Sequence, residues 1–255
     1  MTFDVSADIY DRHVGRYGPQ LSAAHVEAAG VQTGDRALDV GCGPGPLTRV
    51  LAAVVGAGNV AAVDPSPSFV EACRERVPGA DVRLGEAESL PFADGDFDVA
   101  LSQLVVNHMA DPEEGVGEMR RVVRSGGTVS SCVWDYADGM EMLRAFFDAA
   151  LEIDPEAPDE GRVMRFCREG ELGGLWATCG LSDLETGELW ATGEYAGFDD
   201  YWEPFTSGLG PSGSYCASLD PERQAALRDA CFRRLGSPAG AFTLRARAWY
   251  AVGRA

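Results

Sequence analysis

The feature that most constrains the fold of this chain is a regular alternation of short apolar segments and amphipathic segments from Arg36 to Trp134. The apolar segments have the length of β-strands, and the segments between them have apolar residues at the spacing of one helix face. Strands that alternate with helices in this way pair in parallel, because each helix returns the chain to the same end of the sheet. We therefore predict an α/β fold with a doubly wound sheet, with strands at 37–40, 59–63, 81–84, 97–101 and 128–134 and helices at 47–55, 67–76 and 112–123.

The alternation ends after Trp134, and the rest of the sequence has a different pattern. Residues 135–180 have the composition of helices and loops, whereas alternating residues predict strands at 184–192 and 240–253. The segment between these strands, 198–235, is rich in aromatic residues, Gly and Pro, and it reads as irregular and helical. We expect the two strands to complete the sheet as a hairpin-like pair with an antiparallel final strand, and a helical cap to be inserted before that strand.

These patterns predict three parts of the chain. Residues 1–35 have apolar side chains at roughly helical spacing and are expected to form an N-terminal helical cover. Residues 36–134 form the ligand-binding core. Residues 135–255 supply the remainder of the sheet, with strands near 184–192 and 240–253, and a cap on the substrate side.

The charge and cysteine content argue against several classes of protein. The net charge is −19 and all 21 basic residues are Arg, so the chain is poorly suited to neutralising the phosphates of a nucleic acid. The seven cysteines include no C-x-x-C pair, and only three histidines accompany them, so we predict free thiols and no metal site. The sequence has neither an apolar run of about 18 residues nor a secretory signal, so we expect a cytoplasmic protein without a membrane partner.

The central chemical signal is the segment L-D-V-G-C-G-P-G at 38–45. Its glycines allow a sharp turn from strand to helix and a close approach of the backbone to a ligand. A dinucleotide-binding fingerprint would place glycine where Pro46 stands, and no Lys-Ser/Thr pair follows as in a phosphate-binding loop. Asp64 ends the second predicted strand, where a carboxylate can accept hydrogen bonds from both ribose hydroxyls. The combination predicts a site for a nucleoside without a pyrophosphate.

These motifs resemble those of class I S-adenosylmethionine-dependent methyltransferases, particularly the small-molecule group related to ubiquinone/menaquinone methyltransferases. L-D-V-G-C-G-P-G resembles the first motif of that family, and V-D-P-S at 63–66 resembles the second. G-E-A-E-S-L-P-F at 85–92 is similar to its G-D-A-x-x-L-P-F segment, and R-R-V-V-R-S-G-G at 120–127 is similar to its helix and G-G turn. A weaker similarity covers 10–17. The resemblance implies a Rossmann-like core, S-adenosyl-L-methionine as cofactor and methyl transfer as activity.

The resemblance also implies roles for individual residues. Glycines of the first motif would contact the methionine and ribose, Asp64 the ribose, and a carboxylate of the 85–92 segment the adenine amino group, although the family usually has Asp where Glu86 stands. Asp39 would orient the turn and the methionyl ammonium group rather than react. The cofactor-binding residues implied in this way are Arg16, Tyr17, Asp39, Gly41, Gly43, Asp64, Pro65, Glu86, Ala87, Glu88 and Gln103. For Arg16 and Tyr17, simple packing is an equal alternative.

His108 is the candidate general base. It follows the fourth predicted strand, at the carboxyl edge where open α/β sheets place their sites. A base is needed only if the acceptor must lose a proton, and a histidine at this position can equally pack or cap the next helix. His13 and His25 fall in the predicted N-terminal cover, away from that edge. The aromatic residues of 195–215 are expected to form core and part of a pocket wall.

Methyl transfer to an O, N or C atom of a small molecule is the function that these features favour. Since the sulfonium is already activated, the main task of the protein is to hold the acceptor in a near-attack position. An RNA or protein methyltransferase is an alternative, but no basic segment or N-P-P-Y motif supports it, the fourth strand being followed by S-Q-L-V at 102–105. A protein that binds the cofactor without methyl transfer is a further alternative, since a fold does not fix a function.

Overall fold

The computed structural model describes residues 12–208 and 210–255. The strands within this part of the chain are β1 (Ala37–Val40), β2 (Val60–Asp64), β3 (Asp81–Leu84), β4 (Phe97–Gln103), β5 (Val123–Trp134), β6 (Ser182–Tyr195) and β7 (Phe242–Arg254). All seven predicted strands are therefore present. The fifth begins earlier than expected, because residues 123–127 continue into the strand directly after the preceding helix.

The sheet has the order β3-β2-β1-β4-β5-β7-β6. The neighbouring strands from β3 to β5 pair in parallel, and β7 pairs antiparallel to β5, with Trp134 opposite Ala248. This order confirms the predicted doubly wound, mostly parallel sheet with an antiparallel final strand. Crossovers run outward in both directions from β1 and β4, so the carboxyl ends of these two central strands flank the point where the topology reverses.

Ten α-helices are present in the described residues. They are α1 (Gly18–Ala28), α2 (Pro46–Val55), α3 (Pro67–Arg76), α4 (Pro112–Val122), α5 (Glu141–Ile153), α6 (Glu160–Val163), α7 (Glu171–Thr178), α8 (Phe198–Trp202), α9 (Gly210–Ser218) and α10 (Pro221–Arg234). A 3-10 helix, Val14–Tyr17, precedes α1. The part of the predicted N-terminal cover at 1–11 lies outside the described residues.

Proline and aspartate mark where several helices begin. The four helices α2, α3, α4 and α10 each have Pro in their first turn, where the missing N–H is not needed. Asp111 caps α4, since its carboxylate accepts hydrogen bonds from the backbone N–H groups of Glu113 and Glu114. These local signals explain why helix positions were predictable from the sequence.

The chain folds into two compact units. The first comprises described residues of Met1–Tyr17 together with Asp135–Met164 and Trp190–Arg247, and the second comprises Gly18–Trp134, Arg165–Leu189 and Ala248–Ala255. The second unit contains β1 to β5, and one face of its sheet is covered by α1 and α2. The core on this face consists of apolar side chains of those helices and of the central strands, including Val26, Leu47, Leu51, Val99 and Leu101. Among the described residues, no helix combines the length and the apolar character needed to cross a membrane.

Candidate cofactor site and catalytic side chains

The glycine-rich turn joins β1 to α2 and is attached to the end of β2. The backbone N–H groups of Gly41 and Cys42 both donate to the carbonyl oxygen of Val63, at 2.8 and 3.0 Å. Gly41 has a φ of 76°, and a Cβ placed on it would lie 2.5 Å from Val105, directly after β4. Glycine is required here because the chain packs closely against that strand end.

Gly43 has the geometry expected of a glycine that faces a ligand. Its φ is 52°, yet a Cβ placed on it would meet no protein atom within 4 Å. Its N–H donates to Asp64 Oδ2 at 2.8 Å, so the turn is fixed beside this carboxylate. The open space over Gly43 is the place where a ligand can approach the backbone, and residues 41 and 43 therefore need glycine for different reasons.

Asp64 stands at the carboxyl end of β2 and is 6% exposed. Its Oδ1 accepts a hydrogen bond from the N–H of Ser66 at 2.8 Å, while Oδ2 accepts the one from Gly43. Burial raises the pKa of the carboxyl group, and the two backbone donors act in the opposite direction. Each oxygen retains acceptor capacity beyond its one backbone bond, so the pair can receive two ribose hydroxyls. The open cradle at Gly43 and this buried carboxylate fit the nucleoside part of S-adenosylmethionine.

Asp39 lies beneath the turn, fully enclosed by the second unit. Its Oδ2 accepts a hydrogen bond of 2.6 Å from the hydroxyl of Thr48 in the first turn of α2. Burial raises the pKa of Asp39 to about 8, so the group is mostly neutral at pH 7. The residue connects β1 to the start of α2, and its proposed part in orienting the methionyl ammonium group stays a prediction.

Gln103 ends β4 on the sheet face that α1 covers. Its Nε2 donates to Ser22 Oγ of α1 at 2.9 Å, whereas the described residues provide no hydrogen-bond partner for its buried Oε1. An uncompensated buried amide oxygen is costly, so a ligand donor at this point would stabilise the site. His25, one turn further along α1, hydrogen bonds to Ser130 Oγ at 2.9 Å, and burial lowers its pKa to about 4. His25 is thus a neutral structural residue.

The candidate adenine contacts lie after β2 and β3. Pro65 and Glu86 are exposed, and Ala87 is buried. Oε1 of Glu88 accepts hydrogen bonds from the N–H groups of Ala110 at 2.8 Å and Asp111 at 3.3 Å, just before α4. The carboxylate of Glu88 therefore holds the backbone before α4, whereas the carboxylate of Glu86 does not take part in these hydrogen bonds.

His108 lies in a 3-10 turn, Val106–His108, that follows β4. The residue is exposed, its Nε2 is 3.1 Å from the side-chain amide of Asn107, and the guanidinium of Arg165 hydrogen bonds to the carbonyl oxygens of Asn107 and Met109. Loss of hydration around the ring lowers the pKa of His108, and the charge of Arg165 lowers it further. The imidazole is therefore neutral at pH 7 and able to accept a proton.

Arg16 and Tyr17 belong to the first unit. Arg16 donates to the carbonyl oxygen of Glu194 at 2.5 Å and forms an ion pair with Asp200 at 3.2 Å. The hydroxyl of Tyr17, a fully buried residue, is 3.0 Å from that of Tyr195. These contacts give both residues a packing role within their unit, and their proposed contact with the cofactor stays a prediction.

The aromatic residues of the predicted cap form much of the core of the first unit. Phe205 stacks on Phe146 with ring centroids 4.4 Å apart, and Tyr201 donates to the carbonyl oxygen of Met142. His13 packs edge-on against Phe205, and burial lowers its pKa to about 4. The core part of the expectation for this segment is therefore confirmed, whereas its role as a pocket wall stays a prediction.

Sequence reasoning did not find Thr48, Ser22 or Arg165, each of which supports a candidate site residue. Thr48 could have been noticed as a hydroxyl in the first turn after the glycine-rich loop. Ser22 and Arg165 reach their partners because segments distant in the sequence pack together, and no local pattern marks them.

Comparison with known proteins identifies the family of this chain. The family model for a methyltransferase domain matches residues 38–131. The demethylmenaquinone methyltransferase of Desulfitobacterium hafniense is 34% identical over 178 residues, which cover 62% of this chain and 70% of that protein. Because the match covers more than two thirds of that relative, the chain belongs to the class I S-adenosylmethionine-dependent methyltransferases. S-adenosylmethionine is the cofactor of this family.

Solved structures show the same fold at low identity. Phosphoethanolamine N-methyltransferase 2 of Haemonchus contortus, in complex with S-adenosylhomocysteine, has a TM-score of 0.55 at 18% identity and covers all of this chain and 61% of that one. The (4+2)-cyclase SpnF has a TM-score of 0.58 at 19% identity, covering 92% of this chain and 81% of that one. The chain spans only 38%, 55% and 46% of the length of three other curated relatives.

Proposed function

We propose that this protein transfers the methyl group of S-adenosylmethionine to an O, N or C atom of a small molecule. The observation that carries the proposal is the cradle formed by Gly43 and Asp64, in which open space over a glycine adjoins a buried carboxylate. Similarity to a demethylmenaquinone methyltransferase supports a small-molecule acceptor over RNA or protein. The net charge of −19 supports it as well, because an acidic surface repels nucleic acid.

Each part of the cofactor has a candidate partner in the second unit. Asp64 would hold the two ribose hydroxyls, and the backbone at Gly41 and Gly43 would lie along the methionyl and ribose portions. Ala87 and Pro65 would flank the adenine. Between the two carboxylates considered for its amino group we favour Glu86, because Glu88 is already used by backbone N–H groups.

Gln103 would present a hydrogen-bond acceptor at the methionyl end. Its Nε2 is bound to Ser22, so the amide is oriented with Oε1 as the group left to accept a donor. Asp39 would support the turn from below through Thr48.

The cofactor supplies an electrophilic methyl group, and the protein supplies position and, where needed, a base. An acceptor held in line with the S–CH3 bond reacts without further chemical assistance if its attacking atom carries a free electron pair. If that atom carries a proton, neutral His108 is the candidate to accept it. Arg165 would then keep the turn that carries His108 in place.

Methyl transfer is tested by incubating the protein with S-adenosylmethionine labelled in the methyl group and a panel of small quinols, phenols and amines. We expect label in an organic-soluble product and stoichiometric release of S-adenosylhomocysteine. Parallel reactions receive total RNA or a protein extract. Label that enters only RNA or protein would contradict the small-molecule proposal. Tight cofactor binding with no transfer to any acceptor, or cofactor-dependent cyclisation as the name of SpnF describes for that protein, would contradict methyl transfer.

A further inference from the structure

Arg165 lies against the 3-10 turn that follows β4, within the second unit. Its Nη2 donates hydrogen bonds to the carbonyl oxygen of Asn107 at 3.3 Å and to that of Met109. Val105, which precedes the turn, is the residue that leaves no room for a side chain at Gly41. The guanidinium therefore lies at the same edge of the sheet as the glycine-rich turn, where open α/β sheets bind their ligands.

The positive charge of Arg165 has no carboxylate partner among the residues that the structure describes. Both of its hydrogen bonds end on neutral carbonyl oxygens, and the N–H groups on Nε and Nη1 have no acceptor in that part of the chain. Acidic residues outnumber basic ones by 40 to 21, so counter-ions are plentiful. Arg144, for comparison, is paired with both Asp148 and Asp159. The exposed charge of Arg165 can therefore be neutralised by an anionic ligand.

Two carboxylates next to the turn are occupied by backbone N–H groups. Oε1 of Glu88 accepts hydrogen bonds from the N–H groups of Ala110 and Asp111, directly after the turn. Oδ1 of Asp111 accepts hydrogen bonds from two N–H groups in the first turn of α4, which it caps. These carboxylates therefore stabilise the start of α4 and do not pair with Arg165.

The surroundings of the guanidinium fit an anion with an apolar or aromatic body. Cζ of Arg165 lies 5.9 Å from the ring centroid of Phe166, a half-buried residue. Because two backbone acceptors hold the guanidinium, it is ordered before a ligand arrives, and less conformational freedom is lost on binding. A small acid with a ring would meet a fixed cation and an apolar surface here.

His108, the candidate base, lies between the two residues whose carbonyl oxygens hold Arg165. Burial lowers the pKa of the imidazole, and the positive charge of Arg165 lowers it further. An anion on the guanidinium would offset that charge and raise the pKa of His108, because a negative charge favours the imidazolium. The same bound group would thus bring an acceptor to the base and make the base stronger.

We propose that the methyl acceptor is a small acid and that its carboxylate or phosphate group binds Arg165 beside His108. The N–H groups on Nε and Nη1 donate charge-assisted hydrogen bonds to the oxygens of the anion. Arg165 is then the residue that selects acids over neutral molecules of the same shape. The role of the bound acid as acceptor rests on the proposed function, whereas the binding of an anion to Arg165 does not.

Anion binding is measured by NMR on the wild-type protein in the presence of S-adenosylhomocysteine, with the imidazole Hε1 signal of His108 as the reporter. The variant His108→Gln assigns that signal. Benzoate, phenyl phosphate and benzyl alcohol are titrated in turn at an ionic strength fixed with sodium chloride. We expect at least one of the two anions to shift the signal saturably and to raise the pH midpoint of His108, and the alcohol to do neither. The more effective anion distinguishes a carboxylate site from a phosphate site.

The matched variants are Arg165→Gln and Arg168→Gln. Glutamine at 165 keeps a donor for the backbone carbonyl oxygens but removes the charge, so the affinity for the anion should fall at least about tenfold while that for S-adenosylhomocysteine stays the same. Arg168 is an exposed arginine on the same segment, 3.9 Å from Glu171, and its replacement should leave the affinity for the anion unchanged. Equal losses in the two variants, or no saturable shift of the wild-type signal with either anion, would overturn the site.

The acceptor assignment is measured with methyl-labelled S-adenosylmethionine and three phenols that differ in charge, namely 4-hydroxybenzoate, 4-hydroxyphenyl phosphate and 4-hydroxybenzyl alcohol. We expect kcat/KM for one of the acids to exceed that for the alcohol at least about tenfold in wild type, and the preference to disappear in Arg165→Gln. Preferential transfer to the alcohol would overturn the assignment. Anion binding with no transfer to these phenols or to the wider panel would contradict the proposed function but not the anion site. Failure of wild type to bind S-adenosylhomocysteine would contradict the cofactor site instead.

Discussion

At the scale of single residues, Asp64 has both a structural role and a proposed role in ligand binding. Its oxygens hold the N–H groups of Gly43 and Ser66, and they remain able to accept ligand hydroxyls. The side chain therefore shapes the turn, and we propose that it also binds the ribose of the cofactor. Burial raises the pKa of Asp64, because the carboxylate is partly removed from water.

Replacing Asp64 tests the ribose assignment. In Asp64→Ala two charge-assisted hydrogen bonds are lost, and we expect a cost of about 2–4 kcal/mol, or a decrease in affinity for S-adenosylhomocysteine of about 30- to 1000-fold. Calorimetry measures it. The control is Asp81→Ala, which removes an exposed carboxylate paired with Arg83 on β3 and should leave affinity unchanged. Wild-type affinity in folded Asp64→Ala would contradict the assignment.

Gly43 is the second residue whose replacement separates binding from folding. Gly43→Ala places a methyl group in the space proposed for the cofactor and strains a backbone at positive φ, which costs about 1 kcal/mol of stability. Gly30 also has a positive φ, 66°, with open space around it, so Gly30→Ala carries a similar backbone strain away from the glycine-rich turn. We expect similar decreases in the free energy of unfolding for both variants, but weakened binding of S-adenosylhomocysteine only for Gly43→Ala. Equal binding by the two would make the turn purely structural.

At the scale of elements, the short turn after β4 holds the candidate base His108 in a defined place. Arg165 donates hydrogen bonds to the backbone carbonyl oxygens of the residues on both sides of His108. Its charge helps to lower the pKa of the imidazole. A histidine with a lowered pKa becomes neutral at a lower pH than a free one. Activity that depends on the neutral form should therefore rise with pH along a limb that lies below about pH 6.5.

His108→Ala tests this role once an acceptor is known. If the acceptor must be deprotonated, turnover should fall about 10²- to 10⁴-fold while the affinity for S-adenosylhomocysteine stays near that of wild type. Arg165→Gln should retain the base but move the acidic limb of turnover to higher pH, since a positive charge has been removed. A decrease of only a few-fold in His108→Ala, without a change in the pH profile, would indicate catalysis by positioning alone.

The whole molecule carries a net charge of −19, although ion pairs occur throughout the described residues. Self-repulsion on this scale opposes the compact state, and salt screens it over distances of about 8 Å at physiological ionic strength. We expect the thermal unfolding midpoint to rise by a few degrees when sodium chloride is raised from about 10 to about 150 mM. Glycerol at equal osmolality is the uncharged control. A midpoint that falls with salt would mean that the ion pairs outweigh the repulsion.

The sequence by itself determined the α/β order, the strands of the sheet and the glycine-rich turn beside Asp64. It could do so because the periodicity of apolar residues records which faces are buried, and because glycine, proline and aspartate mark turns and helix ends locally. For residues 36–134, these local signals were enough to predict the strands and helices. The earlier start of β5 at Val123 was not predicted, since Gly126 and Gly127 suggest a turn, whereas the strand runs through them with a shift in its register against β4.

Only the tertiary structure decided which side chains support the site. Ser22 beside Gln103 and Arg165 around the His108 turn are pairs separated by 81 and about 57 positions along the chain. Their proximity follows from how segments distant in the sequence pack together, which depends on the shapes of whole faces rather than on any local pattern. The same packing raises the pKa of Asp39, because burial and neighbouring groups, not residue type, determine how far a pKa departs from its usual value.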